Sequence, residues 1–460
     1  MSLLPFILML FLIIVDMLFA MAKYGSKKAT WFNLVFWGII GVSFLIPCDK
    51  KLPEILSGFV SFDEVTPLFG FALSLMMMIY LAAVLFEKKQ SSSELLALGA
   101  FANFGLIGLS VSVELIFTLI LLEIASISTY ALIALGDSSK SHEASLKYFL
   151  LSSLMSAFFL LGAALIFGVN GSTKYTQIVL QPTFISLIGV IFVLSMMFFK
   201  IAIFGFYRWS VDVYYGSNIA TTGFLASSFK IASFVMLIKF INTLNASWTG
   251  LFAIIAVLSM FIGNFLSIKE TSVKKILIVA GIVHAGYIFI ALSSPDRAFV
   301  PAYFYMATYG VVVAFGFVIL GGIFGDYDAK ISDLAGLYKT HPLEAFAFTT
   351  VSLSFIGFPY CVGFLGKVFI FGGAFESGNG YLAIFGIFNT ILSVYYYFKI
   401  IMAIYFGEKD GVSDAMSTNE HKQKSFFGLK VISLFAIIFI LAEGSGKFSI
   451  LRALNLINLG

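Results

Sequence analysis

Long apolar runs separated by short polar segments repeat along the whole chain. Most of the runs contain about 20 residues, which is enough for an α-helix to cross about 30 Å of hydrocarbon. The pattern therefore predicts an all-α polytopic membrane protein with about 14 transmembrane helices. The predicted spans are 3–22, 31–47, 66–86, 95–112, 114–135, 146–168, 183–205, 219–242, 249–267, 276–293, 301–323, 343–375, 381–406 and 427–444.

The twelfth run, 343–375, is too long for one straight helix. It is interrupted by Gly357, Pro359, Gly363 and Gly366. A broken helix at membrane depth is tolerated only where its backbone faces protein or a water-filled cavity. The sequence therefore predicts a broken helix here.

The seventh and twelfth runs share the short sequence Lys-x-x-Ile-Phe-Gly, which begins at Lys200 and at Lys367. A charge at the centre of a bilayer costs roughly 2.5–3.5 kcal/mol on insertion scales, so a retained charge indicates a use. Two lysines in similar settings indicate a duplicated device, as in many transporters. Chance repetition in a chain rich in Phe and Ile is the alternative.

Composition agrees with a membrane protein, because 60% of the 460 residues are hydrophobic and 11% are charged. Soluble domains carry about 25% charged residues. The net charge of +4 is small, and no nucleic-acid partner is predicted from it.

Cys48 and Cys361 lie far apart and indicate no disulfide framework, metal cage or haem motif. The first residues lack the basic region of a signal peptide, so we expect 3–22 to be retained as a helix.

The basic residues divide unevenly between the loops, 16 against 6. Under the positive-inside rule, the odd-numbered loops are predicted to be cytoplasmic and both termini external. The longest polar stretches, 325–341 and 407–425, are predicted loops, so any redox centre is expected on another chain. The odd loops and their edges hold Lys23, Lys27, Lys28, Lys88, Lys89, Lys140, Arg208, Lys269, Lys274, Lys275, Lys330, Lys339, Lys409, Lys422, Lys424 and Lys430. The even loops and the tail hold Lys50, Lys51, Lys174, Arg297, Lys447 and Arg452.

A small set of ionisable residues falls inside the predicted spans. Desolvation makes a buried lysine release its proton more readily, whereas a nearby carboxylate makes it hold the proton. A Glu–Lys pair is therefore a tunable proton site, and a row of lysines joined by water can pass a proton along. The candidates are Asp16, Glu123, Lys147, Lys200, Lys230, Lys239, His284, Lys367 and Lys399.

Structural roles compete with the relay interpretation. Lys147, Lys239 and Lys399 lie towards helix ends, where a lysine can extend its amine to the interface. We expect Asp16 to pair with a neighbouring helix. His284 fits two roles equally well, a packed and hydrogen-bonded histidine or a member of the relay.

For Glu123, Lys200, Lys230 and Lys367 the alternative is a structural buried ion pair, which stabilises a protein only weakly. Glu114 is expected to cap the fifth helix. The Gly366–Lys367 pair lacks the remaining features of a phosphate-binding loop.

Nine stretches, in this order and with these spacings, carry a family resemblance. From about Ser91 to Gly407 the chain resembles subunit N of bacterial NADH-quinone oxidoreductase (respiratory complex I), one of its three antiporter-like membrane subunits. The stretches are Leu121-Leu122-Glu123-Ile124, 143–150, 162–168, Trp209-Ser210-Val211-Asp212-Val213-Tyr214, 224–230, 282–287, 333–337, Gly363-Phe364-Leu365-Gly366-Lys367 and 395–399.

The resemblance implies two inverted five-helix repeats, formed by helices 4–8 and 9–13, with helices 7 and 12 broken. It implies that Glu123, Lys200, Lys230 and Lys367 carry proton translocation. From their positions in the spans, we add His284, Lys147 and Lys399 as secondary candidates. The implied divisions are 1–94 for helices 1–3, 95–242 and 249–406 for the two repeats, and 407–460 for a cytoplasmic loop and helix 14. The lysine at 230 and the Asp-Val-Tyr sequence at 212–214 favour subunit N over its sister subunits.

The resemblance also implies partners and a location. No cofactor is expected on this chain; quinone, flavin and iron–sulfur clusters are expected on other subunits. The partners would be other membrane subunits and the lipid bilayer of the bacterial inner membrane. The alternatives are a subunit of a cation/proton antiporter or membrane-bound hydrogenase, which share the fold, and a structural subunit that pumps nothing.

Departures from the family pattern surround Lys200. The family usually has Pro-Phe-His-x-Trp-x-Pro-Asp after this lysine, whereas this chain has Gly205-Phe206-Tyr207-Arg208-Trp209-Ser210-Val211-Asp212. Ser217-Asn218 stands in place of a usual Ala-Pro, and Tyr360 in place of a usual proline. Gly205 is the residue that we expect to permit a bend in the absence of the prolines.

Overall fold

Helices make up nearly all of the secondary structure in the computed structural model. The structure describes residues 3–22, 27–46, 53–86, 93–179, 183–244, 248–293, 299–407 and 427–446. Within these ranges the extended structure consists of isolated antiparallel bridges, which join Val60 to Ser112, Glu114 to Lys174 and Ser272 to Lys330.

The helices are numbered in chain order. They are α1 (Leu4–Met21), α2 (Lys27–Leu45), α3 (Glu54–Ser57), α4 (Thr66–Phe86), α5 (Ser93–Leu109), α6 (Leu115–Ala134), α7 (Ser139–Asn170), α8 (Phe184–Ile201), α9 (Arg208–Gly216), α10 (Ile219–Phe224), α11 (Lys230–Ile241), α12 (Thr249–Lys269), α13 (Val273–Leu292), α14 (Val300–Phe324), α15 (Leu337–Thr340), α16 (Pro342–Ile356), α17 (Val362–Glu376), α18 (Gly380–Phe406) and α19 (Phe427–Gly444). A π-helical turn, Leu225–Phe229, joins α10 to α11, and short 3₁₀ turns cover Tyr175–Gln177 and Ile331–Leu334.

Each of the fourteen predicted spans coincides with a helix or a pair of helices. Within the described ranges, 12 helices are long and apolar enough to cross a membrane, and α5 and α16 are shorter apolar helices. The prediction of an all-α polytopic membrane protein is confirmed.

Several predicted boundaries differ from the structure, and two of the differences concern the helices around Lys200. The sixth span was expected to begin at 146, but α7 begins at Ser139, because the Ser138 hydroxyl accepts a hydrogen bond from the Ser141 amide and caps the helix. The seventh span was expected to continue to 205, but α8 ends at Ile201. Ala202 and Gly205 then adopt positive φ angles of 61° and 87°. The break therefore survives without the prolines and begins three residues before Gly205.

The twelfth span is broken, as predicted. Gly357 and Tyr360 have φ angles of 86° and 68°, and they separate α16 from α17. The two Lys-x-x-Ile-Phe-Gly sequences occupy different positions in their helices. Lys200 lies one residue before the end of α8, whereas Lys367 lies inside α17, after the break.

The chain divides into two units. The first comprises Met1–Leu81, Lys88–Ser217 and Ser228–Ser247, and the second comprises Ala82–Glu87, Asn218–Ser227 and Trp248–Gly460. In the first unit α6 packs against α5 and α7, α7 packs against α8 and α9, and α11 packs against α5 and α8. In the second unit α12 packs against α13, α17 packs against α13, α14 and α18, and α16 packs against α14, α18 and α19.

Glycines allow α7 and α8 to approach closely in the first unit. A Cβ atom added at Gly162 would lie 2.6 Å from the Gly189 carbonyl oxygen, and one added at Gly189 would lie 3.1 Å from the Gly162 carbonyl oxygen. Small residues are enriched where membrane helices meet, because they bring the two backbones together. This contact fixes α8, and with it Lys200, against α7.

Several residues named in the sequence analysis lie outside the described ranges, and so do both chain termini. They are Lys23, Cys48, Lys50, Lys51, Lys88, Lys89, Arg297, Lys409, Lys422, Lys424, Lys447 and Arg452.

Candidate functional site

Lys200 is fully buried in the first unit, in the last turn of α8. Its Nζ donates hydrogen bonds to Ser126 Oγ at 2.8 Å and to Ser152 Oγ at 2.6 Å. A third, longer bond of 3.4 Å reaches the Tyr148 hydroxyl. An ammonium group has three N–H donors, so these hydroxyl groups give the buried amine a complete set of acceptors.

Aromatic rings complete the surroundings of Lys200. Its Nζ lies 4.8 Å from the centroid of the Tyr148 ring and 5.0 Å from that of Phe229. Ring faces attract cations, and the attraction is stronger away from water. Phe229 is the residue immediately before Lys230, so packing in the first unit brings the amine of Lys200 next to the start of α11.

Trp209 closes the break after α8. Its Nε1 donates a 2.9 Å hydrogen bond to the Phe199 carbonyl oxygen, which lies in the last turn of α8. The Trp209 ring stacks on Tyr148 at 4.8 Å and on Phe199 at 4.6 Å between centroids. Broken backbone is tolerated at membrane depth when its polar groups are satisfied. The sequence that departs from the family pattern therefore still forms a stable break beside Lys200.

Glu123 lies on α6, one turn before Ser126, and is partly buried. Its Oε1 accepts a short hydrogen bond from Ser156 Oγ on α7. Among the described residues, no carboxylate lies within salt-bridge distance of Lys200 Nζ. The structure therefore brings Glu123 and Lys200 into one cluster, but with separate hydroxyl partners.

Lys230 begins α11 and is 3% exposed. It follows directly after the π-helical turn Leu225–Phe229. Single π turns inside membrane helices often mark functional positions, because they leave backbone carbonyls without their usual amide partners. The location of Lys230 in the middle of the span Ile219–Ile241 agrees with the sequence analysis.

Lys367 is 4% exposed and lies in the second unit. Its Nζ donates hydrogen bonds of 2.8 Å and 2.9 Å to the carbonyl oxygens of Phe355 and Ile356, the last two residues of α16. The Nζ atom also lies 4.8 Å from the centroid of the Tyr287 ring. The lysine of α17 thus holds the end of the helix that precedes the break.

His284 lies close to this site, in the middle of α13. Its Nδ1 and the Tyr305 hydroxyl are 2.6 Å apart, and its ring stacks on Tyr309 at 4.5 Å. The Phe355 ring lies 5.2 Å from the imidazole, and the Phe355 carbonyl accepts a hydrogen bond from Lys367. A cavity of about 10 Å³ borders His284 and Tyr305, which is about the space that one water molecule needs.

The residues expected at helix ends have different surroundings. Lys147 is exposed and pairs with Glu143, one turn earlier on α7, at 2.7 Å. Lys399 is exposed on α18, with Nζ 5.9 Å from the centroid of the Tyr395 ring. Lys239 lies in the last turn of α11, is 8% exposed and forms a 2.9 Å ion pair with Asp63, whose side chain is 41% exposed.

The expected structural roles of two acids are confirmed. Asp16 Oδ1 accepts a 2.7 Å hydrogen bond from Asn33 on the neighbouring helix α2. Glu114 is the N-cap of α6, and its carboxylate accepts hydrogen bonds from the amides of Ile116 and Phe117.

Sequence reasoning missed the neutral polar partners of the charged residues. Serines at 152 and 156 form a one-turn repeat in an otherwise apolar stretch of α7, and this repeat was the available signal. Asp63 was missed because it lies before α4 rather than inside a span. Glu344, which the sequence analysis did not single out, is fully buried in the first turn of α16.

Comparisons with known proteins agree with this architecture. A family profile described as NADH:quinone oxidoreductase/Mrp antiporter, TM, matches residues 112–393. The chain is 55% identical to NADH-quinone oxidoreductase subunit N of Campylobacter fetus subsp. fetus (strain 82-40), over 99% of each chain. It is 33% identical to the subunit of the same name from Trichlorobacter lovleyi, over 83% of this chain and 82% of the relative.

Solved structures share the fold over nearly the whole chain. A chain of respiratory complex I from Thermus thermophilus with bound aureothin superposes with a TM-score of 0.83 at 27% identity, covering 98% of this chain and 99% of that one. A chain of the Mrp complex from Dietzia sp. DQ12-45-1b superposes with a TM-score of 0.84, covering 98% and 96%, but at 18% identity it shows the fold alone. With the full-length identity to the Campylobacter fetus protein and the matching family profile, the chain belongs to the NADH-quinone oxidoreductase subunit N family, within the NADH:quinone oxidoreductase/Mrp antiporter group.

Proposed function

We propose that this chain is a proton-translocating membrane-arm subunit of a bacterial NADH-quinone oxidoreductase, and that Glu123, Lys200, Lys230 and Lys367 carry the protons. The observation that carries the proposal is the setting of Lys200. A fully buried amine, held by hydroxyl groups at a helix break, lies in one cluster with a carboxylate. Family membership supplies the physiological context.

The chemistry of the site suits reversible protonation of Lys200. Burial penalises the ammonium form of a lysine, while hydroxyl groups and ring faces favour it. In this proposal, a movement of Glu123 towards Lys200 favours the ammonium form, and a movement away favours the neutral amine. Lys230 and Lys367 repeat the buried-amine setting, the first at a π turn and the second at the end of α16.

Redox energy would reach this chain from neighbouring membrane subunits as an electrostatic or conformational change. Quinone, flavin and iron–sulfur clusters belong to those other subunits in this proposal. His284, next to a cavity the size of one water, serves as a secondary site on the path. Lys147 and Lys399, which are exposed on α7 and α18, serve as further secondary sites.

The proposed organisation follows the sequence divisions. Residues 95–242 and 249–406 form the two inverted repeats, preceded by helices 1–3 in 1–94 and followed by 407–460. The chain lies in the bacterial inner membrane with its odd-numbered loops in the cytoplasm and both termini outside. The excess of basic residues in the odd loops supports this orientation.

Proton pumping by inverted membrane vesicles that carry Lys230→Ala tests the proposal. Pumping and NADH:quinone reductase turnover are measured together on a complex whose assembly is checked by native electrophoresis. Lys269→Ala is the matched control, because Lys269 is exposed at the end of α12. The relay is supported if the assembled Lys230→Ala complex loses pumping and turnover while Lys269→Ala keeps both. Wild-type pumping by Lys230→Ala would make Lys230 a structural charge.

The competing function is cation–proton exchange, since the matching family profile also describes the Mrp antiporter, and sodium is the cation to test. Replacing sodium by choline in the same vesicles separates the two functions. Unchanged pumping without sodium supports proton translocation, whereas pumping that requires sodium would favour the antiporter.

A further inference from the structure

Two serines on α7 face the two charged groups of the cluster. Ser152 and Ser156 are four residues apart, so they lie one turn apart on the same face of α7. Ser152 Oγ accepts from Lys200 Nζ, and Ser156 Oγ donates to Glu123 Oε1. On the neighbouring helix, Glu123 and Ser126 also lie one turn apart, and Ser126 Oγ is a second acceptor for Lys200.

Further hydroxyl contacts follow the same seam between α6 and α7. Ser141 Oγ donates to the Ile133 carbonyl, and Ser145 Oγ donates to the Tyr130 carbonyl at 2.8 Å. Residue numbers rise on one helix as they fall on the other, so the two helices run antiparallel. The seam holds α6 and α7 in register where Glu123 and Lys200 meet.

We propose that Ser152 and Ser156 are positioning residues that hold Glu123 and Lys200 in separate hydrogen bonds and so control when the two charges pair. This inference rests on the proposed function, because it assigns the groups that regulate the same Glu–Lys site. Ser152 stands in for the carboxylate as an acceptor for the lysine. Ser156 stands in for the lysine as a donor to the carboxylate.

The hydroxyl group of Ser156 has two acceptors for one proton. Besides Glu123 Oε1, the Ser152 backbone carbonyl lies 3.0 Å from Ser156 Oγ. A rotation of the hydroxyl towards that carbonyl releases the carboxylate without leaving the serine unsatisfied. The open state and the paired state of Glu123 and Lys200 therefore differ by the movement of small side-chain groups, while α7 stays in place.

The titratable groups that face Lys200 are few. Glu123 and Tyr130 come from α6, and Tyr148 comes from α7, with Nζ 5.9 Å from the Tyr130 ring centroid and 4.8 Å from that of Tyr148. The other side chains around the amine do not titrate: Ser126 and Ser152 are neutral acceptors, and Phe199 and Phe229 are apolar. On α11, which packs against α8, the charged residue next to Phe229 is Lys230.

The two serines are expected to act in opposite directions. Removing the Ser152 hydroxyl takes an acceptor from Lys200, so the lysine loses its proton more easily and the alkaline limb of the pH–rate profile moves to lower pH. Removing the Ser156 hydroxyl frees Glu123 to pair with Lys200, so the lysine keeps its proton and the alkaline limb moves to higher pH. The free energy of one hydrogen bond corresponds to a shift of about 0.5–1 pH unit.

The experiment measures pH profiles of coupled turnover and of pumping in inverted vesicles for Ser152→Ala, Ser156→Ala and Ser153→Ala. Ser153 is the matched control, since it is the adjacent serine on α7 and is exposed. Opposite shifts for the first two variants and none for Ser153→Ala support the inference. Ser152→Thr, which restores a hydroxyl, is expected to return the profile towards wild type.

The result for the serines is separable from the result for the relay. Glu123→Gln and Lys200→Ala are measured beside them. If these two variants lose pumping while both serine variants keep the wild-type profile, the positioning role is wrong and the proposed function stands. If Glu123→Gln and Lys200→Ala assemble and pump normally, the positioning role and the proposed function are both wrong. Should Ser152→Ala fail to assemble, Ser152→Cys keeps the volume with a weaker acceptor, and the same downward shift is expected.

Discussion

Lys367 Nζ donates a 2.8 Å hydrogen bond to the carbonyl oxygen of Phe355, across the break that separates α17 from α16. The Ile356 carbonyl accepts a second bond of 2.9 Å. The last carbonyls of a helix have no amide partners within it, and the helix dipole makes that end negative. One side chain thus satisfies two backbone groups at membrane depth and places a proton-binding amine where a positive charge is favoured.

We expect Lys367→Met to reduce both stability and pumping. The variant removes two donors from the end of α16, and an unsatisfied buried acceptor costs about 1–3 kcal/mol. Thermal unfolding of the solubilised complex measures the first effect, and vesicle pumping measures the second. Lys367→Arg keeps charge and donors and is expected to retain more stability. If Lys367→Met unfolds at the same temperature as the wild type, the two hydrogen bonds from Lys367 do not contribute to stability.

Tyr305→Phe is expected to lower coupled turnover while the complex still assembles. The variant removes the hydroxyl that lies 2.6 Å from His284 Nδ1, so the imidazole loses its fixed orientation beside the small cavity. Turnover and pumping in vesicles provide the measurement, with an expected loss of about 2- to 10-fold, which corresponds to one hydrogen bond. Tyr338→Phe, at an exposed tyrosine of α15, is the control. Equal activities for the two variants would place His284 outside the proton path.

Asp63→Asn is expected to destabilise the chain more than the double variant Asp63→Asn/Lys239→Met. The single change leaves a buried lysine without its carboxylate, whereas the double change removes both charges. Breaking a buried ion pair from one side is strongly destabilising, but the Asp63 side chain is 41% exposed. We therefore expect a loss of about 1–2 kcal/mol, measured by thermal unfolding. A double variant that is less stable than Asp63→Asn would contradict the interpretation.

Gly162→Val is expected to separate α7 from α8 and to impair pumping through Lys200. A Cβ atom at Gly162 would meet the Gly189 backbone at 2.6 Å, and overpacking of this kind costs about 1–3 kcal/mol. Gly168→Val is the control on the same helix, because no atom lies within 4 Å of a Cβ built there. Assembly, unfolding temperature and pumping are compared. The packing argument fails if the two variants behave alike.

The sequence was sufficient to locate the spans and the buried lysines. Long apolar runs identify the segments that cross the membrane, and a charged residue within such a run is easy to recognise. It did not show which neutral groups solvate each charge. Ser152 and Ser153 are adjacent and chemically identical, but one contacts Lys200 and the other is exposed. That distinction depends on the rotation of α7 against α6.

Local residue types explain only one of the two backbone breaks. Glycines and Pro359 indicated the break before α17, whereas the break after α8 begins at Ala202, a residue type that rarely adopts positive φ. The Ala202 amide donates to the carbonyl oxygens of Phe198 and Phe199, and Trp209 adds a side-chain bond to the second. Tertiary contacts, rather than local sequence preference, therefore hold this break.

Helix α7 is longer than the membrane that it crosses. Its 32 residues span about 48 Å at 1.5 Å per residue, against about 30 Å of hydrocarbon. Even a tilt of about 40°, at the limit of the usual range, leaves about 37 Å. Several residues must therefore project into the headgroup layer or beyond it, and the exposed pair of Glu143 and Lys147 lies towards the end that begins at Ser139. There, mobile ions screen the pair at physiological salt, whereas the buried charges around Ser152 are screened much less.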